Sequence, residues 1–167
     1  MSSIFTRRSV RQYQDKKVEA EKVDRILRAA MQAPSAVNQQ PWEFIVIDDK
    51  ATIEKTAQFS PYAKMLLEAP LAVIILEKQN MRAAAFTQQD LGACTQNLLL
   101  QIVEEGLGAC WMGVSTGDAR EKFLCEMFSI PEDVKPFAVI SIGYPADENA
   151  NRFVDRYDES RVHYNKY

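Results

Sequence analysis

The sequence predicts a mixed α/β or α+β fold, and three observations carry that expectation. Short apolar runs rich in β-branched residues occur at 43–49, 70–78 and 136–145, each separated from the next by stretches of helical spacing. Four glycines fall within residues 106–117, where a long helical pattern gives way to a strand. Consecutive strands divided by helices fit neither a β-sandwich nor a helical bundle. The chain has 167 residues, 47% of them hydrophobic, with no break in composition, so residues 1–167 are expected to form one domain.

The elements follow in order. From Val18, "VEAEKVDRILRAAMQA" sets Val23, Ile26, Leu27, Ala30 and Met31 on one helical face, with acidic residues early and Arg28 late, as the helix dipole favours. Pro34 stops that helix, because the residue before a proline is pushed out of the helical region. "EFIVIDD" and "PLAVIILEK" read as buried strands, and between them two short helices are expected around Ser60-Pro61, the second opening with Pro61. From about Asn80 to Glu105 a long helix is expected, apolar over more than half its circumference and therefore central. "GLGACWMG" reads as a helix C-cap at Gly106 or Gly108 followed by a strand. A helix capped near Thr116 or Asp118, the strand "PFAVISIGYP" and an irregular charged tail complete the chain.

Composition excludes several classes of function. Net charge is −3, yet residues 1–28 hold eight Lys/Arg against four Asp/Glu, while 29–146 hold eight against fourteen. A local cationic patch on an acidic body suits a small anion better than a long polyanion, so no nucleic-acid partner is expected. The apolar runs fall short of the ~20 residues that a bilayer-spanning helix needs, and the basic start of the chain has no apolar leader, so no membrane partner is expected. Three widely spaced cysteines point to reduced thiols in the cytoplasm, and a single histidine, His163, rules out a histidine-rich metal site; no metal is expected. Walker-type phosphate loops, G-x-G-x-x-G, H-E-x-x-H and G-x-S-x-G are all missing.

Four stretches remain. "RRSVR" (7–11) offers guanidinium forks and a hydroxyl that can surround a phosphate, or else a solvated basic terminus. "APSAVNQQPWEF" (33–44) gathers Ser35, Asn38, Gln39 and Gln40, which suit the polar edge of a heteroaromatic ring or an ordinary polar turn anchored by Trp42. In "GLGACWMG" (106–113) small residues would let backbone approach a planar ligand. The tail supplies Arg152, Arg156 and Arg161.

In their joint order these stretches resemble the nitroreductase family of flavoproteins: R-R-S-V-R, then A-P-S-x-x-N-x-Q-P-W-x-F before a strand, "QNLLL" leading into G-L-G-x-x-W-M-G, and a G-Y-P strand end with a late arginine. The resemblance runs from about Phe5 to His163. It implies an α+β nitroreductase-like fold with a central mixed sheet flanked by helices, in a domain-swapped type of homodimer. It also implies FMN held in two sites, each built from both subunits at the interface. Such enzymes take hydride from NADH or NADPH through flavin N5 and pass it to an acceptor such as a nitroaromatic or quinone in a ping-pong cycle.

Residue by residue, Arg7, Arg8, Ser9 and Arg11 match the family's phosphate and ring contacts, with Arg11 reaching toward the pyrimidine end, where positive charge favours reduction. Pro34, Ser35, Ala36 and Asn38 match the loop given by the partner subunit. Trp111, Met112 and Gly113 match the segment beside the isoalloxazine, and Arg156 fits the late phosphate-binding arginine, with Arg152 or Arg161 as alternatives. No residue is expected to act as a general acid, since the flavin performs the hydride chemistry. The segment between the second and third strands is compact for the family, which leaves the flavin open or covered by Tyr62 or Phe86. The alternatives are a specialised flavin reaction on the same fold (dehalogenation, flavin fragmentation or dehydrogenation) or a flavin-binding module without turnover.

Overall fold

Leu71, Val73 and Ile75 turn to one side of their strand and Ala72, Ile74 and Leu76 to the other, and all six are buried, so this segment must be covered on both faces. The computed structural model describes residues 2–167 and meets that demand with three layers. Its strands are β1 (Trp42–Ile47), β2 (Leu71–Lys78), β3 (Gly108–Gly113) and β4 (Val134–Gly143), in the spatial order β1-β2-β4-β3. Every neighbouring pair is antiparallel, so the four strands form an antiparallel sheet and not the expected mixed one, and the only parallel pairing among the described residues is a single bridge from Ser9 to Ala109 at the β3 edge.

Helices α2 (Ala20–Met31) and α4 (Thr87–Glu104) cover one face, α3 (Lys50–Thr56) and α5 (Ala119–Phe128) the other, and a single turn, α1 (Ser3–Thr6), lies against α4. Leu91, Cys94, Leu98 and Ile102 mark successive turns of α4 and are wholly buried, as their spacing requires. Asn97 Nδ2 donates to the Ala29 carbonyl at 3.3 Å, tying α4 to α2. Past the end of α4, Arg25 forks onto the Glu105 carboxylate through two hydrogen bonds of 2.7 Å. That pairing is the main reason the Glu105 carboxyl is pulled down from an ordinary 4.5 to about 2.

Several expected boundaries move. The long helix starts at Thr87 rather than Asn80, because Asn80 is left-handed (φ 59) and a short turn at Ala84–Phe86 intervenes. Pro61 opens no helix: Ser60 before it is extended, Pro61 and Tyr62 form a turn, and only a single 3-10 turn at Lys64–Leu67 follows. Asp118, not Thr116, caps α5 by accepting the N–H groups of Arg120 and Glu121. The last strand begins at Val134 and includes Pro136. A register shift leaves Phe137 opposite no residue of β2, which lets the strand accommodate its proline.

Candidate functional site

The arginine-rich segment is laid onto the β3 side of the sheet by its apolar and aromatic members. Val10 N–H donates to the Ala109 carbonyl at 2.9 Å and Gln14 N–H to the Tyr144 carbonyl at 2.9 Å. The buried Tyr13 hydroxyl donates to the Val10 carbonyl at 2.6 Å and lies 2.8 Å from Ser141 Oγ. Two glycines permit this approach: a Cβ on Gly108 would meet Val10 at 2.6 Å, and one on Gly143 would meet Pro70 at 2.7 Å and Tyr13 at 2.9 Å. Gly108 is thus small for the sake of the docked segment, whereas Gly113, at the far end of β3, faces open space.

Docking gathers Arg7, Arg8, Ser9 and Arg11 around a cavity of about 280 Å³, and the tail adds Arg156 to its wall. Among the described residues, Arg7, Arg8, Arg11 and Arg156 form no ion pair with a carboxylate, whereas Arg25, Arg28, Arg120 and Arg161 each do. Burial lowers the Arg7 pKa from its ordinary value, and the charges of Arg156 and Arg8 lower it further. A group of cations left in mutual repulsion is set up to receive an anion.

Arg11 also lines a second cavity of about 410 Å³ with Trp111, Met112, Gly113, Phe59 and Tyr62. Burial raises the thiol pKa of Cys110 in that wall, and the charge and hydrogen bond of Arg11 act against the rise. The Arg11 guanidinium therefore stands where the cationic cavity meets the aromatic one. Tyr62, 82% exposed, borders this second cavity, and Phe86 does not. Of the other tail arginines, Arg152 lines a separate cleft with Arg8, Ser9 and Asp147, and Arg161 is paired with Asp158 at 3.0 Å.

Pro34, Ser35, Ala36 and Asn38 border none of these cavities. Their loop is tightly specified all the same. Ser35 Oγ accepts the Gln40 N–H at 3.0 Å, Asn38 Oδ1 accepts Gln40 Nε2 at 3.3 Å, and Trp42 is anchored in the core. Asp90, on α4, accepts from Ala36 N–H and Gln39 Nε2. None of the sequence motifs includes Asp90; its one signal there is a lone acid in the first turn of an otherwise apolar helix face.

Fold and site together define an α+β protein with a cationic cavity and an aromatic one that share Arg11 in their walls. The sequence matches the nitroreductase family over residues 4–64 and 60–144, and the chain belongs to that family. It is 42% identical over 168 residues to the "Putative NADH dehydrogenase/NAD(P)H nitroreductase" of Methanothermobacter thermautotrophicus, covering 100% of this chain and 87% of that protein. The crystal structure of a "Putative NADH Oxidase" from Clostridium acetobutylicum superposes with a TM-score of 0.95 at 48% identity, covering 99% of this chain and 100% of the other. An FMN-dependent nitroreductase from Clostridium difficile R20291 superposes with a TM-score of 0.89 at 32% identity, covering 99% of each chain.

Proposed function

We propose that this chain, paired with a second copy of itself, transfers hydride from NADH or NADPH to a planar acceptor such as a nitroaromatic or quinone. The chain is an NAD(P)H-dependent oxidoreductase and its cofactor is FMN. The observation that carries the site reading is the group of arginines without carboxylate partners, joined through Arg11 to the cavity beside Trp111–Gly113. A phosphate at one end and a flat, partly polar ring at the other are what those two cavities fit.

When bound, FMN would supply the hydride chemistry that links the nicotinamide to the acceptor. The chain's residues bind and bias. Arg7, Arg8, Ser9 and Arg156 hold the phosphate. Arg11 sets positive charge where electron density builds up on reduction. Trp111, Met112 and Gly113 present backbone beside the ring, and Tyr62 borders the space left for nicotinamide and acceptor. Pro34, Ser35, Ala36 and Asn38 of a second copy complete the site, so the whole chain works as one FMN-binding domain within a dimer. Ile4, Phe5, Phe153, Val154 and Tyr157, exposed together around one cleft, supply apolar surface for that association.

The test is the visible spectrum of purified protein before and after anaerobic NADH or NADPH, with sedimentation at micromolar concentration. Yellow, dimeric protein bleached by the nicotinamide is expected. Colourless protein that takes up no FMN, or a monomer that retains it, overturns the shared-site reading.

A further inference from the structure

Asp90 is only 5% exposed, and both of its carboxylate oxygens are engaged by the loop that follows α2. Oδ1 accepts the Ala36 N–H at 2.9 Å, and Oδ2 accepts Gln39 Nε2 at 2.6 Å. The Gln39 amide then closes on the backbone of a third segment: its Oε1 accepts the Ala83 N–H at 2.9 Å, and its Nε2 donates to the Ala83 carbonyl at 3.2 Å. One carboxylate and one amide thus join the loop, the first turn of α4 and the turn that leads into it. Charge-assisted bonds in a water-poor setting are the strongest available for such a task.

The loop needs this support. Val37 (φ 49), Asn38 (φ 54) and Gln40 (φ 47) are all left-handed, and Val37 is β-branched and 64% exposed. Such a backbone persists only where its surroundings over-determine it, and its cluster in one short loop marks a conformation held for use. The use lies outside the subunit's own cavities, since none of those lined by the arginines or by Trp111 includes residues 34–38.

We infer that Asp90 and Gln39 are positioning residues, a clamp that presets the Pro34–Asn38 loop so that it completes the flavin site of a second copy. The inference rests on the shared-site reading above. Asp90 and Gln39 act through the loop, by their bonds to Ala36, Ala83 and each other. Their effect is to remove the ordering cost that a loose loop would bring to FMN binding.

FMN titration of the full-length protein, followed by flavin fluorescence, tests it. In Asp90→Asn an N–H replaces the acceptor facing Gln39. Gln39 must turn its amide over, and the Ala83 N–H then loses its acceptor. FMN affinity should fall by about tenfold or more, the scale of one charge-assisted bond. The swapped pair Asp90→Asn/Gln39→Glu restores a donor facing an acceptor and keeps the Ala83 N–H satisfied, while the 3.2 Å bond to the Ala83 carbonyl is lost, so its affinity should recover a measurable part of what Asp90→Asn loses. Should Asp90→Asn fail to fold, Gln39→Met decides by the same titration. A mixed dimer of Asp90→Asn and Arg7→Ala subunits should bind one FMN with near-normal affinity, because one of its two sites then has an intact arginine cluster and an intact loop. Asp90→Asn binding FMN as wild type does, a swap without rescue, or a mixed dimer no better than its parents overturns the clamp. Wild-type protein that takes up no FMN overturns the site reading itself, and the clamp's role with it.

Discussion

Two sets of arginines divide the molecule. Arg25, Arg28, Arg120 and Arg161 each face a carboxylate, at 2.7, 2.6, 2.5 and 3.0 Å, and act as local fasteners within or between neighbouring elements. Arg7, Arg8, Arg11 and Arg156 face one another instead, in a cavity with no carboxylate in its wall. Both sets look alike in composition. Charge compensation separates them: a paired guanidinium is satisfied by the fold, and an unpaired cluster keeps a repulsion that a bound anion would relieve.

The largest break in that contrast should come from Arg7→Ala. Losing a charge-assisted contact to phosphate should weaken FMN binding by roughly ten- to a hundredfold, while the melting temperature of the FMN-free protein holds or rises because Arg8 and Arg156 lose a like-charged neighbour. Flavin titration and parallel thermal melts of the free protein check both halves. A fall in stability of the free protein equal to that of a core variant would place Arg7 among the fasteners.

Gly108→Ala displaces the cluster without touching a charge. The new methyl must occupy space held by Val10 at 2.6 Å, an overpacking that costs about 1–3 kcal/mol. Lower melting temperature and weaker FMN retention should appear together, and a variant with normal stability but poor retention would contradict the docking account. Arg11→Ala should act later, slowing anaerobic reduction by NAD(P)H by about tenfold, the order of one preorganised charge, with FMN retention affected less. Stopped-flow bleaching of flavin absorbance measures the first effect and equilibrium dialysis the second.

The smallest effect belongs to the paired set. Glu105 falls from 4.5 to about 2 on folding, so the unfolded chain binds the proton more tightly and the pair's contribution is present above pH 4.5 and lost as pH falls toward 2. Arg25→Met should therefore lower the urea midpoint modestly at pH 7 and by less at pH 3. A difference that stays constant across that range would mean that packing of the Arg25 stem, and not its charge, is what the variant removes.

Much of the fold was legible because it is local. The face of α2, the two-sided burial of β2 and a cap at Thr116 or Asp118 each follow from residues within a few positions of one another. The misjudged boundaries lie where local signals conflict with longer-range demands. Asn80–Phe86 has helical composition, but Ala83 is bonded to Gln39 from a loop 44 residues away. Pro61 suits a first helical turn, but between Pro61 and the start of β2 the chain makes only a turn and one 3-10 segment.

The sequence by itself determined the helix and strand faces, the reserve of cations at the start of the chain and the order of motifs that marks its family, since all three lie in side-chain spacing along a single strand of chain. Tertiary structure decided which of the three tail arginines lines the cavity of Arg7, Arg8 and Arg11: Arg156, and neither Arg152 nor Arg161. It also decided that Gly108 is small for Val10, and that Asp90 holds a loop 54 residues away. Those outcomes depend on which surfaces the closed core brings together, and nothing in the local spacing of charges or glycines specifies that.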